Sequence, residues 1–161
     1  MKLLFRQRVF SWFDSYDIYD ENGDVVYVVK GQFAWGHCFK IFDREGKELG
    51  CIKEVVFSWV PTFEVIINDK VIGQIQKDFA LFSRSYQIDY KGWRVEGDFV
   101  EWNYEIFDVN DHLIAKISKE FLKFVDTYIL DINNPLDAVN VLAFALAMDA
   151  DKCDRQKRNR D

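Results

Sequence analysis

Leu136-Asp-Ala-Val-Asn-Val-Leu-Ala-Phe-Ala-Leu-Ala-Met148 is apolar at eleven of thirteen positions, broken only by Asp137 and Asn140. At about 100° per residue the apolar side chains surround a helix axis instead of forming one stripe, and a helix of that kind belongs in a core or in a membrane. Length separates the two cases. The run is shorter than the ~17 to 25 residues needed to span a bilayer, and charged residues follow at once. Ala138, Ala143, Ala145 and Ala147 keep the helix slim. Asn133-Asn134 supplies an N-cap, Pro135 suits a first helical turn, and Asp137 complements the positive end of the dipole. The expected element is a helix over about 134–152, threaded through the core of a single domain, 1–161.

The segments before it supply the wall. Turn signals recur at Glu21-Asn22-Gly23-Asp24, Arg44-Glu45-Gly46-Lys47, Asn68-Asp69-Lys70, Tyr90-Lys91-Gly92 and Val109-Asn110-Asp111. Each lies between two short runs rich in Val, Ile, Phe and Tyr, the hairpin signature. About twelve strand candidates fit before residue 133, with no intervening helix, which indicates a sandwich or barrel. The hairpins resemble one another: Phe39–Lys53 aligns with Tyr104–Ser118, Tyr16–Lys30 follows the same pattern, and Phe63–Lys77 follows it with a turn one residue shorter. If Ile41 pairs with Gly50, period-2 alternation puts Phe39, Ile41, Gly50 and Ile52 on one face. The matching positions are Val65, Gly73 and Ile75, then Ile106, Ala115 and Ile117. A small residue recurs at one place, Gly50, Gly73 and Ala115, where a neighbouring element can come close. The expected architecture is a mainly β, roughly twelve-stranded antiparallel closed barrel around one buried hydrophobic C-terminal helix, with the small residues facing inward.

The hairpin Phe39-x-Ile-x-Asp-x-x-Gly-x-x-Leu-Gly-x-Ile-Lys53, the later Lys116-Ile-Ser-Lys-Glu120 and the closing Val139–Asp151 resemble the short bacterial relatives of the plant LURP-one-related family, within the tubby C-terminal-like superfold. The resemblance spans almost the whole chain and rests on patterns more than on a strict motif. It implies the barrel-around-helix fold. That superfold also includes phospholipid scramblases and tubby domains that bind phosphoinositides, so the resemblance implies binding more readily than catalysis.

Composition narrows the partners. The net charge is −6, and no basic stripe precedes the last residues, so nucleic acid is not an expected partner. Cys38, Cys51 and Cys153 are odd in number and lack CxxC spacing, which reads as reduced thiols in a cytoplasmic protein. Arg6 and Arg8 interrupt the apolar start Leu3-Leu4-Phe5, against a signal peptide.

Candidate chemistry is sparse. His37-Cys38 with Cys51 is the nearest approach to a metal site, but zinc needs about four ligands and no second Cys/His pair is suitably spaced, so neither metal nor cofactor is expected. His112 reads as a solvated turn residue. Asp14 with Asp17, and Glu101 with Glu105, read as solvated acidic faces, and no GxSxG, P-loop or GxGxxG occurs. Lys30, Lys53 and Lys77 end successive hairpins, and Lys119 is close to the equivalent place. At one barrel rim they would bind an anionic phospholipid or phosphoinositide headgroup; otherwise they are the usual edge lysines that discourage aggregation. The tail Lys152–Arg160 offers cations suited to a helix C-terminus or to an electrostatic partner. Phe57-Ser58-Trp59-Val60-Pro61-Thr62-Phe63, Trp35 and Trp102 form a binding patch if exposed and core if buried. The first reading is a non-enzymatic binding domain, the second a structural or regulatory protein–protein module, and the third an enzyme whose pocket the sequence disguises.

Overall fold

A computed structural model describes residues 1–6, 15–32, 35–77, 86–89, 91–98, 102–122 and 125–158. The repeated hairpins are β2 (Ser15–Tyr19) with β3 (Val25–Gly31), β4 (Cys38–Asp43) with β5 (Glu48–Glu54), β6 (Thr62–Ile67) with β7 (Lys70–Lys77), and β10 (Asn103–Phe107) with β11 (Leu113–Leu122). Around them stand β1 (Lys2–Arg6), β8 (Tyr86–Ile88), β9 (Arg94–Asp98) and β12 (Val125–Ile132).

Three of the hairpins are turned by the same device. Asp20 Oδ1 accepts hydrogen bonds from the backbone N–H groups of Asn22 and Asp24. Asp43 Oδ1 does so for Glu45 and Lys47, and Asp108 Oδ1 for Asn110 and His112. An Asp that binds its own backbone two residues on is a turn former, and Gly23, Gly46 and Asp111 take the positive φ that closes each turn. The shorter β6–β7 turn uses Asn68 and Asp69, both at positive φ, as a two-residue type I′ turn requires.

Beside each turn one residue is inserted. Val26, Leu49, Ile72 and Ile114 fall between register pairs, so the second strand of every repeated hairpin carries a bulge at the same place. Bulges increase local twist, which an antiparallel sheet needs in order to curl. Hydrogen-bonded neighbours run β1-β12-β11-β10-β9-β8-β7-β6-β5-β4-β3-β2, and β1 also pairs with β2, so the order returns on itself as a barrel. The joints are unequal. Eight register pairs join β11 to β12, whereas among the described residues a single pair joins β1 to β2 (Leu4 with Tyr19) and another joins β8 to β9 (Gln87 with Arg94).

The C-terminal helix, α1, runs Ala138–Arg158, after a 3-10 turn over Pro135–Asp137. Asn134 caps the 3-10 turn, its side chain accepting from the Leu136 backbone N–H at 3.1 Å. Every residue from Val141 to Ala150 is buried, the all-round burial that the apolar run implies. Two expectations need correction. Leu136 is 86% exposed, because it belongs to the 3-10 turn and not to the buried helix. The helix also continues six residues past 152, since nothing in Lys152–Arg158 breaks it and Lys, Arg and Gln favour helix; the side chains from 151 onward lie outside the described residues.

The inward faces meet the helix as the alternation requires. Ile41 pairs with Gly50, Val65 with Gly73 and Ile106 with Ala115. Gly50 and Ala115 are buried and Gly73 is half-buried. What fills the space at Gly50 differs from expectation. A Cβ there would meet Ile67 Cδ1 at 2.6 Å and the Ile66 carbonyl oxygen at 2.9 Å, with Val139 of the helix at 3.7 Å. The neighbouring strand therefore claims the space first and the helix second. Deeper inside, Phe144 meets the Tyr104 ring edge-on at 5.7 Å, Trp102 lies tilted against Tyr104 at 6.0 Å, and Trp102 and Phe5 both lie tilted against Tyr128, with centroids 4.1 and 4.8 Å away. Each large side chain so buried contributes roughly 1.5–3 kcal/mol.

Candidate functional site

With a filled interior, the functional candidates are at the ends and on the outer face. An up-and-down sheet sends all its β2–β3, β4–β5, β6–β7 and β10–β11 turns to one end. The β3–β4 and β5–β6 connections emerge at the other.

At that second end the β5–β6 loop, 55–61, is closed by the Val55 backbone N–H donating to the Thr62 carbonyl at 2.9 Å. Ser58 and Thr62 share a hydroxyl hydrogen bond at 2.9 Å inside it. The loop thus presents outward the aromatics that flank Ser58: Phe57 is 94% and Trp59 101% exposed. The β3–β4 loop packs beside it. Gly36, at φ +89°, leaves no room for a Cβ, which would fall 2.8 Å from Val56 Cγ2 and 3.1 Å from Glu54 Oε2. The Glu54 carboxylate accepts from the His37 backbone N–H at 2.9 Å, and the Glu54 N–H donates to the His37 carbonyl at 2.7 Å. Trp35, on this second loop, is 86% exposed. Of the aromatics singled out from sequence, Trp35, Phe57 and Trp59 are therefore surface, while Phe63 and Trp102 are core.

Lys30, Lys53 and Lys77 stand where β3, β5 and β7 reach this same end. Lys30 is exposed, with Nζ 4.8 Å from the Phe42 ring centroid. Lys53 is exposed on the outer face, in register with Cys38 and Glu64. Lys77 is in register with Tyr86. By register Lys77 and Lys119 differ from Lys30 and Lys53, each standing two residues beyond an inward isoleucine, Ile75 and Ile117; Lys119 pairs with Tyr128, half-buried, with Nζ 5.8 Å from that ring.

The cysteine reading also resolves geometrically. Alternation sends neighbouring His37 and Cys38 to opposite faces: His37 is buried, stacks on Phe39 and lies 3.6 Å from Glu54. Cys38 and Cys51 lie diagonally on the outer face with their sulfurs 3.4 Å apart. Their hydrogen bond, followed by Lys40 and Lys53, holds the Cys38 thiol down at about 7, while the same bond and burial push Cys51 up. Among the described residues no three His, Cys, Asp or Glu side chains are placed to hold a metal ion.

The remaining candidates are modest. His112 is exposed in its turn, with Nδ1 3.2 Å from Asp108 Oδ2. Asp14, Glu101 and the side chains of Lys152–Arg160 lie outside the described residues. A cleft at the turn end is lined by Lys47, Glu48, Leu49, Gly50, Ile66 and Asn68 among others; its Glu48 carboxylate is held by Lys40 at 2.7 Å. Among the described residues no helix is long and apolar enough to cross a membrane.

Known proteins place this architecture. The uncharacterized protein YxjI of Bacillus subtilis (strain 168) is 26% identical over 150 residues, covering 92% of each chain. The X-ray structure of an Arabidopsis thaliana protein superposes with a TM-score of 0.59 at 12% identity, over 89% of this chain and 87% of that one, a likeness of fold. The family model described as LURP-one-related matches residues 1–149. With twelve strands in one antiparallel sheet and one C-terminal α-helix among the described residues, and that match over nearly the full length, the chain belongs to the LURP-one-related family.

Proposed function

We propose that this protein is a non-enzymatic binding domain that docks, by the end bearing the β3–β4 and β5–β6 loops, on a cytoplasmic membrane surface rich in anionic phospholipid headgroups. The observation that carries the reading is the exposure of Trp35, Phe57 and Trp59 on two mutually packed loops, at the end where β3, β5 and β7 run out into Lys30, Lys53 and Lys77. Trp favours the membrane–water interface, where its ring is half wet, and lysines beside it draw anionic lipid at about 1 kcal/mol each. Lys119, facing inward at Tyr128, is assigned a supporting position behind this rim.

The net charge of −6 does not oppose the reading. Asp20, Glu21, Asp24, Asp43, Glu45 and Asp108 lie in or beside the turns of the opposite end. A seven-residue strand such as β3 spans roughly 23 Å at about 3.3 Å per residue. That exceeds twice the Debye length of about 8 Å at physiological salt, so the lysines are screened from the acidic turns.

Flotation with phosphatidylcholine vesicles, with and without phosphoinositide, tests this. The full chain is expected to float with the anionic vesicles and to be released by high salt. Replacing Lys30 and Lys53 together by Gln removes about 2 kcal/mol, roughly thirtyfold in partitioning, and Trp59→Ala weakens binding to both vesicle types. Failure to float with either composition would overturn the membrane reading. It would favour the alternative, a structural or regulatory protein–protein module, for which exposed Trp and Phe are equally suited as anchors.

A further inference from the structure

We propose that Cys38 and Cys51 form a reversible redox site on the outer face of the β4–β5 hairpin, at which a hydroperoxide oxidises Cys38 and Cys51 closes a cross-strand disulfide. The pair is separate from the aromatic loops, and the inference does not depend on membrane docking.

Proximity is the first support. The sulfurs are 3.4 Å apart, already in contact, and reaching a bond of about 2.05 Å takes a small further approach of the two strands. Register is the second. Cys38 stands opposite Lys53 and Cys51 opposite Lys40, so the cysteines are diagonal neighbours. Diagonal Cβ atoms in an antiparallel pair are farther apart than the ~3.8 Å an unstrained disulfide prefers. A bond formed there is strained, and strained disulfides are the readily reduced kind.

Division of labour is the third. Cys38 is half-buried and Cys51 only 8% exposed, so an oxidant meets Cys38 first. Lys40 and Lys53 flank the pair and favour the Cys38 thiolate, against Glu48. With its thiol at about 7, in place of the usual 9.0, about half of Cys38 is thiolate at pH 7, against about one in a hundred for an ordinary thiol. Cys51, pushed up, stays protonated until the first step is complete.

The chemistry balances. The Cys38 thiolate attacks the outer oxygen of the hydroperoxide, the O–O bond breaks, and the alkoxide or hydroxide leaves and takes a proton, giving Cys38 sulfenic acid. Cys51 sulfur then attacks Cys38 sulfur, the S–O bond breaks, and the Cys51 proton leaves with the hydroxide as water. Two thiols are oxidised and one peroxide is reduced. A small thiol such as glutathione reverses the state by exchange.

The test uses the full reduced chain, exposed to hydrogen peroxide and digested with trypsin without reductant. The expected product is peptide 31–40 joined to peptide 48–53, lighter by two hydrogens than their sum and lost on adding glutathione. In unoxidised protein at pH 7, limiting iodoacetamide is expected to label Cys38 about tenfold faster than Cys51. Replacing Lys40 and Lys53 by Gln should slow that labelling by about threefold or more. In Cys51→Ser, Cys38 should be trapped by dimedone as sulfenic acid. The proposal is overturned if Cys38 is oxidised in Cys51→Ser while wild-type protein yields no joined peptide, or if Cys38 labels no faster than Cys51.

Discussion

At one end of the sheet Asp20, Asp43 and Asp108 each fold a tight turn by accepting two backbone N–H groups; at the other, Trp35, Phe57 and Trp59 project from loops held to each other by Gly36 and Glu54. The first end satisfies its polar backbone internally and shows water a charged rim. In the described part of the second, backbone bonds such as Val55 N–H to the Thr62 carbonyl and Glu54 N–H to the His37 carbonyl hold the loops, yet Trp35, Phe57 and Trp59 stay in solvent. Side chains this exposed bury little apolar surface within the fold, which is why the proposed docking surface is placed there. The turn end is closed by its own side chains, and the loop end is the one to which the proposed contact is assigned.

Both ends hang on the same interior, so the largest effect should belong to neither. Phe144→Ala removes the ring that Tyr104 meets edge-on and is expected to cost about 3–5 kcal/mol, read as a lower urea midpoint with an unchanged slope. A cost below 1 kcal/mol would break the picture of a helix-filled barrel. The next effect separates the ends. Gly46→Ala at the turn end, φ +84°, meets nothing within 4 Å and should cost the ~1–2 kcal/mol of left-handed backbone. Gly36→Ala, at a similar φ, adds overlap with Val56 and Glu54 and should cost about 1 kcal/mol more. Equal costs would mean that the two aromatic loops are independent. Trp59→Ala should stay within about 0.5 kcal/mol of wild type in stability, even where it weakens vesicle binding.

Much of this was legible in the sequence. The helix declared itself because apolar residues circled its axis, and the pairing of Ile41 with Gly50 followed from hairpins that repeat. That pairing also set Cys38 and Cys51 on one outer face, although only coordinates bring their sulfurs to 3.4 Å. The four bulges were hidden because each inserted residue is itself apolar, so alternation is not visibly broken. Three of them left a trace, in the apolar residue that directly precedes a small one: Leu49-Gly50, Ile72-Gly73, Ile114-Ala115; the fourth, Val26, precedes Tyr27. The fate of the aromatics was not legible, because Phe57 and Phe63 sit in one seven-residue run and only the Val55–Thr62 closure decides which points out. Lys119 looked like a rim lysine because it ends a similar pattern, but register, not sequence position, sets its face.

The smallest effect tests the turn end alone. The N–H groups that Asp20 and Asp108 accept hold both carboxyls below their ordinary 3.8, led by the Asp24 backbone at Asp20 and the His112 backbone at Asp108. A carboxyl whose pKa is lower folded than unfolded stabilises the fold above the unfolded value, and that contribution is lost as pH falls through the folded one. Asn in place of either Asp keeps an oxygen that can accept the same bonds but carries no charge. The stability gap between wild type and the Asp20→Asn, Asp108→Asn double variant is therefore expected to be constant above about pH 5 and to close as pH drops through 3.8 and below. Urea titrations across that range read it directly. A gap that persists undiminished at low pH would show that the turns depend on the shape of the side chain and not on its charge. The two ends would then differ in their apolar surface, with the charge of the acidic rim irrelevant to how the turns close.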